Sequence, residues 1–187
     1  MKIVAARISM SLWASMSFAN ALMTSIDPEA VPDFKTTLNG QYLSSLDVYN
    51  LVVSEPAILF VDVRDRDEVA GMGHPYRIDA VVPVQVGREV TTGMTSRVAL
   101  VDNPDFLSQM EETLRLENKS RHDLIIITCG SGRRSAIAAN ILYENGYTNV
   151  WHVPDGYDGD DVVGFNVDNA WRLAGLPWSI ELMDKAE

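Results

Sequence analysis

Two stretches of this chain, Ala57-Ile58-Leu59-Phe60-Val61-Asp62-Val63 and Asp123-Leu124-Ile125-Ile126-Ile127-Thr128, are nearly unbroken runs of apolar and β-branched residues. A strand with one wet face alternates polar and apolar positions; runs like these are strands buried on both faces, which calls for helices on either side of a sheet. The rest of the chain offers them. Ser44-Ser45 precedes helical apolar spacing through Val53. Asn103-Pro104-Asp105 opens a helix to about Leu116, with Pro104 at an early position. Ser135 through Asn145 is an Ala/Ile/Leu-rich helix closed by Gly146. Ile78 to Val82 and Val150 to Val153 read as further strands. Residues 84–102 form a long excursion or a small hairpin, and Trp171 to Trp178 a last helix and turn. Strands alternating with helices predict an α/β domain with an open, mostly parallel β-sheet flanked by helices on both faces.

The second buried run leads directly into Cys129-Gly130-Ser131-Gly132-Arg133-Arg134-Ser135, and a helix follows. In open α/β sheets ligands bind at the carboxyl ends of the strands, where Cys129 falls. Gly130 and Gly132 let the backbone curl tightly, and successive N–H groups in such a curl form an anion-binding nest. The positive end of the helix, with Ser135 as its expected N-cap, and the charges of Arg133 and Arg134 add to it. Each of these favours a thiolate and a good nucleophile. A buried structural cysteine ahead of a surface turn is the alternative, and the coincidence of strand, Gly-x-Gly loop, arginines and helix start weighs against it.

With 187 residues, 47% of them hydrophobic, the chain fits one domain with a real core. A net charge of −11 argues against nucleic acid and anionic membrane as partners. Lys2 and Arg7, the uncharged run Ile8 to Phe18 and Ala19-Asn20-Ala21 have the layout of a secretory signal peptide cleaved after Ala21, so the mature chain is expected to be periplasmic or secreted, without a membrane span. An amphipathic first helix of a cytosolic protein is the other reading. Residues 22–40, with Pro28, Pro32 and Gly40, form an extended lead-in. Cys129 is the only cysteine, so no internal disulfide can form; an exported lone thiol is inert, paired with another molecule, or kept for chemistry.

The loop from Cys129 to Arg134 resembles the active-site loop of the rhodanese family. Upstream, Val61-Asp62-Val63-Arg64 with Glu68, then Gly73-His74-Pro75 and Ile78 to Pro83, resemble that family's early strand, glutamate and Gly-His segment. Downstream, Gly146 to Val150 and Trp171 to Pro177 resemble its closing strand and final helix. The likeness covers roughly residues 41–180, leaving 181–187 as a tail. It implies a single-domain sulfurtransferase. Cys129 would take a sulfane sulfur from thiosulfate or a related small anionic donor, hold it as a persulfide, and pass it to a thiol or cyanide acceptor or to a protein sulfur acceptor. Gly130, Ser131, Gly132, Arg133, Arg134 and Ser135 would bind the substrate, with Arg133 or Arg134 holding the donor. No cofactor or metal is implied. A non-turnover persulfide carrier and a Cys-dependent phosphatase or arsenate reductase are the competing readings. The phosphatase-like relatives carry a Cys-x5-Arg loop, whereas four residues separate Cys129 from Arg134. The chain departs from the family in having Gly130 where arginine is common, and in the stretch Tyr157 to Ala170 before Trp171. The latter reads as an insertion that shapes donor or partner choice.

Asp62, Arg64 and Glu68 are expected to support the site, with Arg64 paired to Glu68 to order a turn. His74 is expected to be a local hydrogen-bonding residue, and His122 and His152 are isolated without metal-ligand spacing. Asp155, Asp158, Asp160 and Asp161 form an acidic loop that does not match an EF-hand.

Overall fold

A computed structural model describes residues 22–55, 57–92, 95–160 and 169–181. The first buried run forms β1 (Leu59–Asp62) and the second forms β6 (Ile125–Thr128). They pair in parallel at the centre of a four-stranded sheet of order β3-β1-β6-β7, with β3 at Ala80–Val81 and β7 at Val150–His152. Along each strand the side chains alternate between two cores. Leu59, Val61, Ile125 and Ile127 join Phe106, Met110, Leu114, Ala138 and Leu142, from α3 (Phe106–Leu116) and α4 (Arg133–Glu144). Phe60 and Ile126 face the other way, onto Val48 and Val52 of α1 (Ser45–Ser54), with Trp151 and Trp171. Both faces are buried because both sets of alternate residues are apolar, and the observed class is the expected α/β one.

Local signals account for the helix ends. Ser44 accepts from the Asp47 N–H at 3.1 Å while Asp47 accepts from the Ser44 N–H at 3.0 Å, a reciprocal capping box at the start of α1. The chain at 84–102 is a hairpin, β4 (Gln85–Thr92) against β5 (Thr95–Asp102). A short helix, α2 (Arg66–Met72), and the pairing of β2 (His74–Pro75) with β8 (Trp178–Ser179) were not anticipated. Trp171 to Gly175 is a turn rather than the expected last helix. Gly175 enters the left-handed region at φ 69° and Pro177 follows, so the chain cannot continue helically. His74 is locally bonded as expected, Nδ1 lying 2.9 Å from the Pro75 carbonyl and Nε2 3.0 Å from that of Glu181. Residues 1–21, the expected leader, and 161–168, the middle of the expected insertion, lie outside the described residues.

One core residue makes the fold sensitive to acid. His152 on β7 is fully buried, its ring edge-on to Tyr42. Burial, with the nearby charge of Lys35, pushes the imidazole from 6.5 down to about 3. The unfolded chain therefore takes a proton near pH 6.5 that the fold refuses, and stability is lost from there downward. Asp155, pushed up to about 6 chiefly by its own burial, works the opposite way, favouring the fold as the pH drops below 6. The two partly cancel in the wild type, so a variant comparison separates them. In urea titrations from pH 7 to 4, His152→Phe should gain on the wild type by about 1 kcal/mol per pH unit below 6.5. A constant difference would mean that the folded protein protonates His152.

Candidate active site

Cys129 follows the last residue of β6, at the carboxyl edge of the sheet, and the chain then turns into α4. Gly132 makes that turn in the left-handed region, φ 86°, and occupies the N-cap position. Ser135, expected as the cap, lies instead within the first helical turn. Its hydroxyl donates back to the Gly132 carbonyl at 3.1 Å, because the left-handed glycine starts the helix three residues earlier. The consequence is a cradle around the sulfur. The Gly132 N–H donates to Cys129 Sγ at 3.2 Å, the Ser135 N–H at 3.4 Å, and the Ser135 hydroxyl lies 3.4 Å away. The two N–H groups belong to the N-terminus of α4, the positive end of its dipole, and point at the sulfur, while the hydroxyl proton goes to the Gly132 carbonyl. Cys129 is 1% exposed.

A second loop, Pro154 to Asp160, closes on the first. Tyr157 N–H donates to the Cys129 carbonyl and Asp158 N–H to the Gly130 carbonyl, both at 2.8 Å. The backbones meet so closely that a methyl group on Gly156 would fall 2.5 Å from the Gly130 oxygen, and one on Gly132 would fall 2.2 Å from the Pro154 oxygen. The expected insertion thus begins with residues that hold the cradle. At Gly130 itself a methyl group would make only ordinary contacts, the nearest with Arg134 Nη2 at 3.5 Å.

The charges around the cradle are paired differently from the sequence expectation. Arg64 does not bind Glu68. It donates to Asp62 through Nε at 3.0 Å and Nη2 at 2.7 Å, and to the Gly73 carbonyl at 2.7 Å, with both side chains buried. Two residues apart at a strand end, Asp62 and Arg64 point to the same side, while Glu68 on α2 reaches across to α4. Glu68 instead receives both Nη atoms of Arg134 at 2.7 Å, a two-pronged carboxylate–guanidinium pair. Arg133 donates to Asp160 at 3.2 Å and stacks on the Phe34 ring at 4.0 Å. Ser131 belongs to the same loop and is partly exposed. The acidic loop is engaged in ion pairs and backbone bonds: Asp158 binds Arg172, Asp160 binds Arg133, and Asp155 accepts the Ser45 N–H. Among the described residues no three His, Cys, Asp or Glu side chains gather as a metal-holding group. Nor is any helix among them long and apolar enough to cross a membrane.

Lys35 was missed in the sequence. It lies in the lead-in, carried by the 3-10 turn Asp33–Lys35, and its side chain is buried against the second loop. Nothing in the local pattern marks it, since Pro154 and Asp160, which its ammonium meets, are more than a hundred positions away.

A family model described as Rhodanese-like domain matches residues 45–160. An uncharacterized protein of Rickettsia conorii is 29% identical over 141 residues, covering 75% of this chain and 98% of that one. Senescence-associated protein DIN1 of Raphanus sativus is 38% identical over 97 residues, 52% of this chain and 45% of that one. The crystal structure of Rv0390 from M. tuberculosis superimposes with a TM-score of 0.55 at 26% identity, covering 75% of this chain and 97% of that one.

Proposed function

Because the chain belongs to the family of rhodanese-like domains, we propose that it is a sulfurtransferase in which Cys129 carries the sulfur. The observation that carries this reading is the cradle of two N–H groups and a hydroxyl on Cys129 Sγ. In the first step the Cys129 thiolate attacks the sulfane sulfur of a donor such as thiosulfate. The new S–S bond forms as the donor's S–S bond breaks, and sulfite leaves with the electron pair. The persulfide left on Cys129 keeps one negative charge on its outer sulfur, which backbone donors at a helix terminus suit. An acceptor thiolate or cyanide then attacks that outer sulfur, and the Cys129 thiolate departs, ready for the next donor. Four residues between Cys129 and Arg134 support a cradle sized for single sulfur atoms rather than for a tetrahedral phosphate, which needs a wider ring and a free guanidinium clamp.

A second reading has its own observation. Arg133 and Arg134 are both engaged by carboxylates, and position 130 carries no side chain, so few cations are left to hold a free anionic donor. That favours delivery of sulfur by a protein partner, with Cys129 as a persulfide carrier. The proposal includes export through the leader at 1–21. One experiment addresses these points: intact mass spectrometry of protein from the cell envelope, before and after a sulfane donor. The mature chain should begin at Leu22 and gain one sulfur atom on the Cys129 peptide, removable by a thiol reductant and absent in Cys129→Ser. Turnover with thiosulfate and cyanide distinguishes enzyme from carrier. No mass gain with any donor would end the transfer reading, and aryl phosphate hydrolysis lost in Cys129→Ser would replace it with a phosphatase.

A further inference from the structure

Residues 22–44 lie upstream of the region that matches the family, yet they reach the back of the cradle. Tyr42 bridges to His152 at the edge of β7, and the turn Asp33–Lys35 packs against α4. From that turn Lys35 extends inward until its side chain is only 2% exposed. Its Nζ donates to the Pro154 carbonyl at 3.1 Å and lies 3.7 Å from Asp160 Oδ2. The Pro154 carbonyl is the group packed against Gly132, whose N–H holds Cys129 Sγ.

Resting on the sulfur-transfer reading, we infer that Lys35 is a positioning residue for that site: its buried ammonium holds the Pro154 carbonyl behind Gly132 and balances negative charge on the Cys129 sulfur. Burying an ammonium is unfavourable unless opposite charges or hydrogen-bond acceptors surround it. Burial loosens the hold of Lys35 on its proton, and the charges of Asp160, Cys129 and Asp155 tighten it, in that order, with Arg133 opposing. The other charged groups gathered there are Arg134 with Glu68 and, beyond them, Arg64 with Asp62. Lys35 and Arg133 share one carboxylate, Asp160, at 3.7 and 3.2 Å. Without the ammonium, the Pro154 carbonyl behind Gly132 loses its donor and the cation beside Asp160 is gone, leaving Arg134, held by Glu68, as the other cation coupled to the sulfur, so a thiolate or persulfide would be disfavoured. Lys35 lies outside the region 45–160 that matches the family, so on this reading the lead-in is a working part of the site.

The test is the rate of Cys129 alkylation by iodoacetamide between pH 6 and 9, in the full mature chain and in Lys35→Met and Lys35→Gln. Glutamine keeps an N–H donor for Pro154 without the charge, so it separates charge from the hydrogen bond and guards against a methionine variant that does not fold. Both neutral variants should alkylate roughly three- to tenfold more slowly at pH 7, with the rate profile displaced to higher pH, and should form persulfide more slowly to match. A profile that overlays the wild type in either folded variant overturns the inference. A wild type whose alkylation depends on Lys35 but which accepts no sulfur from any donor would instead defeat the transferase reading and leave the charge coupling intact.

Discussion

Replacing Gly132 with alanine should destabilise the protein by about 2–4 kcal/mol and reduce sulfur transfer by roughly a hundredfold or more. Two effects combine. At φ 86° any side chain strains the backbone, a cost of about 1 kcal/mol. In addition the new methyl group would lie 2.2 Å from the Pro154 oxygen and 2.8 Å from its carbonyl carbon, atoms of a backbone that cannot rotate away. The loops must separate, and the Gly132 N–H leaves the sulfur it holds at 3.2 Å. Gly146 is the control: it has nearly the same φ, 84°, with nothing within 4 Å of the added carbon. Gly146→Ala should therefore show the strain alone, about 1 kcal/mol, with transfer unchanged. Urea unfolding and a persulfide-formation assay on both variants check this. Equal behaviour of the two would mean that the contact between loops contributes nothing.

The second large effect is expected at the buried pair behind the cradle. Arg64→Met should cost about 3–5 kcal/mol, because it leaves the Asp62 carboxylate buried, charged and without its cation. Among the described residues Asp62 would keep only the Arg64 N–H, now at 3.0 Å, and the Gly73 carbonyl would lose its donor. The guanidinium also stacks on Tyr157, 4.5 Å from the ring centre, so the second loop loses a contact as well. Adding Asp62→Leu removes the stranded charge. The double variant should recover all but about 1–2 kcal/mol, since well-packed apolar replacements of a buried pair are often close to neutral. Denaturant titrations of the two single variants and the double complete the cycle. A double variant no more stable than Arg64→Met would show that the guanidinium matters through Gly73 and Tyr157 rather than through Asp62.

Much of the site was legible because its parts are contiguous. A buried strand, a glycine turn and a helix start follow one another at 125–135, and geometry within so few residues is set by local backbone conformation. What lay outside local reach was the choice of partners. Arg64 and Glu68 are four residues apart and plausible mates, but α2 carries Glu68 toward α4 and leaves Arg64 with Asp62. Ser135 is a capping residue by type, yet the left-handed Gly132 begins the helix first and turns the hydroxyl toward the sulfur.

By itself, then, the sequence determined the class of fold and the place of its one thiol. Apolar runs at 57–63 and 123–128 have no stable place except between two layers of helix, and the only thiol sits where the second run ends. Tertiary structure alone decided which charges face that thiol. Lys35 meets Pro154 across 119 residues of chain, and no periodicity encodes such a pairing. A buried ion settles where packing brings an opposite charge and a carbonyl within reach, because desolvation penalises every other position.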